Sequence, residues 1–234
     1  MSPSSVARPR VEVLVNAFVR SVYNWMCIGL ALTGFIAYYV SSDPKLVMLI
    51  VGNPILFFGL IVAELAMVFA LSGWVERMSP ATATGLFVGY SALNGVTLSV
   101  IVLAYTQASI FSTFFVCSAT FAACSVYGWT TKKDLTSWGG FLTMGLIGII
   151  IASVVNIFIQ SNAMTMILSY IGVIVFVGLT AYDTQKIKNL ALTQPVDADG
   201  SVVRRLAIVG ALTLYLDFIN LFLMLLRILG SRRD

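Results

Sequence analysis

Three acidic residues in this 234-residue chain stand where acids are costly. Glu64 sits mid-way in Ile61-Val62-Ala63-Glu64-Leu65-Ala66-Met67, and Asp217 mid-way in Leu214-Tyr215-Leu216-Asp217-Phe218-Ile219-Asn220. Asp183 closes a third apolar run, in Thr180-Ala181-Tyr182-Asp183-Thr184-Gln185-Lys186. An ionisable group inside hydrocarbon is rare and usually tied to function. Asp217 interrupts a run that would cross a membrane more readily with leucine at that place, which points to a working carboxylate. Glu64 fits either a working group or a neutral one that hydrogen-bonds two helices together. Asp183, beside Lys186 at a helix end, is unremarkable by itself.

Two carboxylates brought together in an apolar interior tend to hold one proton between them. Such a pair changes charge with pH without any histidine, and this chain has none. Ionised, the pair also attracts cations. A hard cation such as Ca2+ takes about six to eight oxygens. Two carboxylates with Asn220, one turn from Asp217, supply fewer, so the expectation is no tight metal site but a transient Ca2+ position near Asp217, completed by water and carbonyls. The same argument admits monovalent cations.

The absence of histidine removes Ser/His and Cys/His nucleophiles, His-ligated zinc and His-held haem. Cys27, Cys117 and Cys124 all lie in apolar runs and read as small packing residues, with no disulfide framework or metal site. No cofactor is expected, and the basic residues form no stripe that could follow nucleic acid. No enzymatic activity is expected either.

The elements that must position the acids are membrane-crossing helices. Hydrophobic residues make up 59% of the chain and charged ones 10%, well below the roughly 25% charged of a soluble domain. At about 20 apolar residues per crossing, seven runs qualify: Ser21–Val40, Ile55–Trp74, Ala81–Tyr105, Ser109–Trp129, Trp138–Ile159, Thr165–Tyr182 and Leu206–Leu229. Residues 1–20 read as a cytoplasmic tail with an amphipathic segment over Val11 to Arg20, residues 21–230 as one seven-helix domain, and residues 231–234 as a tail. No cleavable leader is visible.

Lys and Arg concentrate in cytoplasmic loops. With the N-terminus inside, ten fall in inner segments and only Lys45, Arg227, Arg232 and Arg233 in outer ones. The last three leave a six-span arrangement with an inside C-terminus open. Trp74, Trp129 and Trp138 would form an interfacial belt, and Gly85 with Gly89 is a close-packing pattern common in membrane helices. The lack of an Asn-x-Ser/Thr sequon agrees with a bacterial or organellar membrane.

The run Ala181-Tyr182-Asp183-Thr184-Gln185-Lys186-Ile187, followed by Leu212-Thr213-Leu214-Tyr215-Leu216-Asp217-Phe218-Ile219-Asn220-Leu221-Phe222, resembles the transmembrane Bax inhibitor motif family. Glu64 to Ser72 leading into Arg77-Met78-Ser79-Pro80, and Asn156-Ile157-Phe158, are similar to that family too. The likeness covers residues 15 to 230 and, with these short tails, suits a bacterial member of the inner membrane. It implies an all-α membrane fold of seven helices, six wrapped around a central C-terminal one. It also implies a pH-sensitive calcium leak sensed by Asp183 and Asp217, and partnership with membrane lipid and membrane proteases. Some relatives place a basic latch residue near the end of the second span. Here Arg77 is the candidate, displaced by about two residues and next to Glu76.

Other functions use the same residues differently. An intramembrane aspartyl protease needs Gly-x-Gly-Asp, where this chain has bulky Leu214-Tyr215-Leu216-Asp217. A proton-coupled cation transporter would suit a titrating pair, and a non-conducting regulator of a membrane protease would use the acids only structurally. Depth sets a condition on any pairing. Asp217 lies about 15 Å from Arg227 along a helix, whereas Asp183 lies about 5 Å from Lys186. Contact therefore requires a tilted or extended sixth helix, Lys186 beyond the headgroups, or a thin cytoplasmic vestibule.

Overall fold

The computed structural model describes residues 4–193 and 199–233. Its elements are α1 (Ser4–Ser42), α2 (Pro44–Val51), α3 (Pro54–Trp74), α4 (Pro80–Ala104), α5 (Gln107–Thr130), α6 (Thr136–Ile159), α7 (Asn162–Thr193) and α8 (Gly200–Leu229). A 3-10 turn, Val75–Arg77, follows α3. Seven of these helices are long and apolar enough to cross a membrane, with mean hydropathy from 1.4 to 2.4. The seven expected spans are all present, and the protein is an all-helical membrane protein.

The punctuation is local. Asp43 accepts from the Lys45 amide and starts α2, Asn53 accepts from the Leu56 amide, and the Ser79 hydroxyl accepts from the Thr82 amide. Each satisfies an amide that a helix start would otherwise leave open. Two boundaries differ from expectation. The helix that crosses first begins at Ser4 and continues unbroken through Val11 to Arg20, because no proline or polar turn separates the amphipathic segment from the apolar run. α7 continues eleven residues past Tyr182 to Thr193. Its buried stripe Thr180, Thr184, Ile187 and Ala191 keeps helical spacing beyond the expected end.

The chain divides into two compact units, Met1–Ala104 with Leu190–Tyr215, and Tyr105–Asn189 with Leu216–Asp234. In the first, α1 and α3 both pack on α4. The Thr33 hydroxyl lies 2.7 Å from the Ser91 carbonyl and 2.6 Å from the Tyr215 hydroxyl, whose ring stands edge-on to Phe87 and Tyr90. In the second, the chain after α8 docks on the start of α5. Thr106 donates its amide to the Ser231 carbonyl at 3.1 Å, and the Ser231 amide donates to the Ser109 hydroxyl at 2.9 Å. α8 is the most enclosed span, with 67% of its apolar window buried against 11–39% for the others.

Candidate functional site: a carboxyl pair between α7 and α8

The continuation of α7 turns Asp183 from a helix-end residue into a mid-helix one, ten residues before Thr193. This meets the depth condition set by Lys186. Asp183 and Asp217 both belong to the second unit. Both are buried, at 7% and 5% exposure, and their side chains meet at hydrogen-bond range. Two ionised carboxylates in such contact would repel, and a proton shared between them would remove that repulsion. The Asp217 Oδ2 is buried and accepts no hydrogen bond from a protein donor, which leaves it open to a shared proton, water or a cation.

Close helix approach makes the contact reachable. A Cβ on Gly128 of α5 would collide with the Ala181 backbone, two residues from Asp183. One on Gly172 of α7 would come within 2.8 Å of the Met224 side chain of α8. At Gly128 only glycine admits the neighbouring backbone, whereas at Gly172 the flexible Met224 side chain would have to shift. In α6, Gly139 meets the Tyr182 ring and Gly145 meets Val175, whereas a Cβ on Gly140 or Gly148, or on Gly85 of the expected Gly85–Gly89 pattern, would stand in open space.

Residues that the sequence did not single out hold the loop beside the pair. Gln185 accepts from the Leu135 amide and donates to the Lys133 carbonyl, each at 2.8 Å. Lys188 donates to the Trp129 carbonyl at 2.6 Å and lies over the Trp129 ring. A polar residue two positions after a buried acid is too weak a signal to foretell such a clamp. In the same loop, hydrogen bonds from the Thr136 side chain and amide hold the Asp134 carboxyl below its ordinary range. Lys186 provides positive charge near Asp183 and stands 5.9 Å from the Tyr182 ring centre.

The remaining candidates are placed differently. Asn220 donates to the Leu216 carbonyl of its own helix at 2.8 Å. Glu64 belongs to the first unit, where its carboxylate accepts from the Thr97 hydroxyl at 2.8 Å. It therefore bonds α3 to α4, in keeping with the helix-bonding alternative. Arg77 is exposed at the end of the 3-10 turn, also in the first unit.

The sequence pattern of the family described as "Inhibitor of apoptosis-promoting Bax1" matches residues 15–234. The chain belongs to the Bax inhibitor family. Among similar members, the inner membrane protein YbhL of Escherichia coli is 50% identical over 98% of this chain and 97% of its own length. An uncharacterized protein of Borreliella burgdorferi is 45% identical over 98% of each chain. An uncharacterized membrane protein of Streptococcus pyogenes is 38% identical over 94% of each. The Bax inhibitor assignment and the seven long apolar helices agree that the protein resides in a membrane.

Proposed function

We propose that this Bax inhibitor family protein is a pH-sensitive cation leak, with Ca2+ as its principal permeant ion and the Asp183–Asp217 pair as its sensor. The supporting observation is the buried contact between these carboxyls in the middle of two long apolar helices. While one proton is shared, the pair carries a single negative charge and ties α7 to α8. Loss of that proton places two charges in contact, pushes the helices apart and creates an attractive position for a cation. The partnerless Asp217 Oδ2 gives a passing ion a first protein ligand, with water completing its shell. Ca2+ and protons are thus the ionic partners, and the protein works in transport rather than catalysis. The likeness to YbhL supports a bacterial inner membrane, and the Lys/Arg distribution supports a cytoplasmic N-terminus.

Calcium flux into proteoliposomes, measured across about pH 5 to about pH 8, tests this reading. Wild type should pass Ca2+ in a pH-dependent manner, and Asp217→Asn should flatten that dependence. Folded wild-type protein that passes no more Ca2+ than empty liposomes at any pH would sink the proposal and favour a non-conducting regulator.

A further inference from the structure

Hydroxyls within membrane helices ordinarily bond back to the carbonyl four residues earlier. In the second unit Thr120, Thr130, Thr143, Ser169 and Thr180 all do so, at 2.7–2.8 Å. Thr113 and Ser125 of α5 do not. Both are buried, at 1% and 8% exposure, and their hydroxyl oxygens have no protein partner. Among the described residues four buried side-chain polar atoms are left this way, and three of them, Thr113 Oγ1, Ser125 Oγ and Asp217 Oδ2, fall in the second unit. A buried polar atom without a protein partner points to water or an ion.

Two of the three atoms lie on the buried face of α5, and the third is on the stretch of α8 that this face meets. Thr113, Cys117, Phe121 and Ser125 are the buried residues of successive α5 turns. The middle two meet α8 next to Asp217: Cys117 Sγ lies 3.7 Å from the Phe218 carbonyl, and the Phe121 and Phe218 ring centres are 5.4 Å apart. Thr113 and Ser125 therefore flank the level of Asp217 from opposite sides, about 18 Å apart along α5. The two phenylalanines stand between them.

We infer that the buried α5 face is the wall of the ion path, with Ser125 and Thr113 as hydroxyl ligands to water or a hydrated cation on either side of a Phe121–Phe218 constriction. This rests on the leak reading above and adds the route. The hydroxyls are left free of their own helix because they serve the solvent column. The aromatic pair keeps that column narrow, and Phe218 moves with its chain neighbour Asp217.

Water accessibility tests the route independently of ion flux. In full-length protein with Cys27, Cys117 and Cys124 replaced by alanine, Thr113→Cys and Ser125→Cys are each treated in liposomes with a small, charged, membrane-impermeant thiol reagent. The reagent is supplied from each side in turn. Val116→Cys and Val126→Cys, at exposed positions of the same helix, serve as lipid-facing controls. Labelling at both test positions, well above the controls, is the expected result. Protection as complete as at the controls overturns the inference, even where calcium flux is present. Labelling without flux would keep the solvated route and overturn the leak reading. Thr113→Val and Ser125→Ala, in otherwise native protein, should lower flux by about five- to tenfold, the scale of one lost hydrogen bond. Their melting temperatures should not fall, since each removes a buried hydroxyl with no protein partner. Unchanged flux in both variants also overturns the inference.

Discussion

Raising the pH should weaken the wild-type protein far more than Asp217→Asn, because only the wild type can place two charges in the Asp183–Asp217 contact. A proton shared in this contact, as proposed above, is one that an unfolded chain has no need to keep, since free aspartates ionise near pH 4. Folding therefore takes up a proton, and stability must fall as pH rises above that range. The upper bound follows from the geometry. Two unit charges about 4 Å apart at an effective dielectric of about 20 repel by about 4 kcal/mol. That biases the contact about a thousandfold, although separation of α7 and α8 relieves part of it. A domain of this size shifts its melting temperature by about 2–4 °C per kcal/mol. A loss approaching 10 °C between about pH 5 and about pH 8 is thus within reach. In Asp217→Asn the amide can donate to Asp183 at every pH, so the contact survives ionisation of Asp183. Melting curves of detergent-solubilised wild type, Asp217→Asn and Asp183→Asn across that range are the assay. Equal pH slopes in all three would refute the shared-proton reasoning.

Three further perturbations probe the supports of the pair. Gly128→Ala places a Cβ against the Ala181 backbone and should destabilise by about 1–3 kcal/mol, read as a lower melting temperature, whereas Gly140→Ala, in open space, should not. Gln185→Ala leaves the Leu135 amide and Lys133 carbonyl without partners. Hydrogen exchange at Leu135 should accelerate by about tenfold or more, as losing one such bond implies; an unchanged rate would show that the clamp is not what holds the loop. Asp134, outside the spans, is held below its ordinary range by Thr136. Its contribution is present above that range and lost as pH falls through the lowered value. Its side-chain resonance should therefore titrate below a free aspartate, and Thr136→Ala should move the midpoint upward.

The sequence by itself determined the solvent, the seven apolar runs and the identity of the acids. Apolar runs of bilayer length leave a helix little alternative, because its backbone must satisfy itself where water is absent. Asp217 was legible for the same reason, as a carboxyl among leucines is conspicuous in one dimension. Short signals marked the breaks as well, including Asp43-Pro44 and Ser79-Pro80.

The family resemblance named Asp183 and Asp217 as a pair, but only tertiary structure decided how they come within reach. Asp183 looked like a helix-end residue because Lys186 and Lys188 follow it, yet the buried Thr184, Ile187 and Ala191 carry α7 onward. Charge marks where a chain touches water, but burial of the opposite face decides where a helix ends. The separate roles of Glu64 and Asn220, the Gln185 clamp and the partnerless hydroxyls of Thr113 and Ser125 depend on residues from about 30 to more than 100 positions away, or on a turn of the side chain itself. Such relations are set by which faces pack together, and no local pattern encodes them.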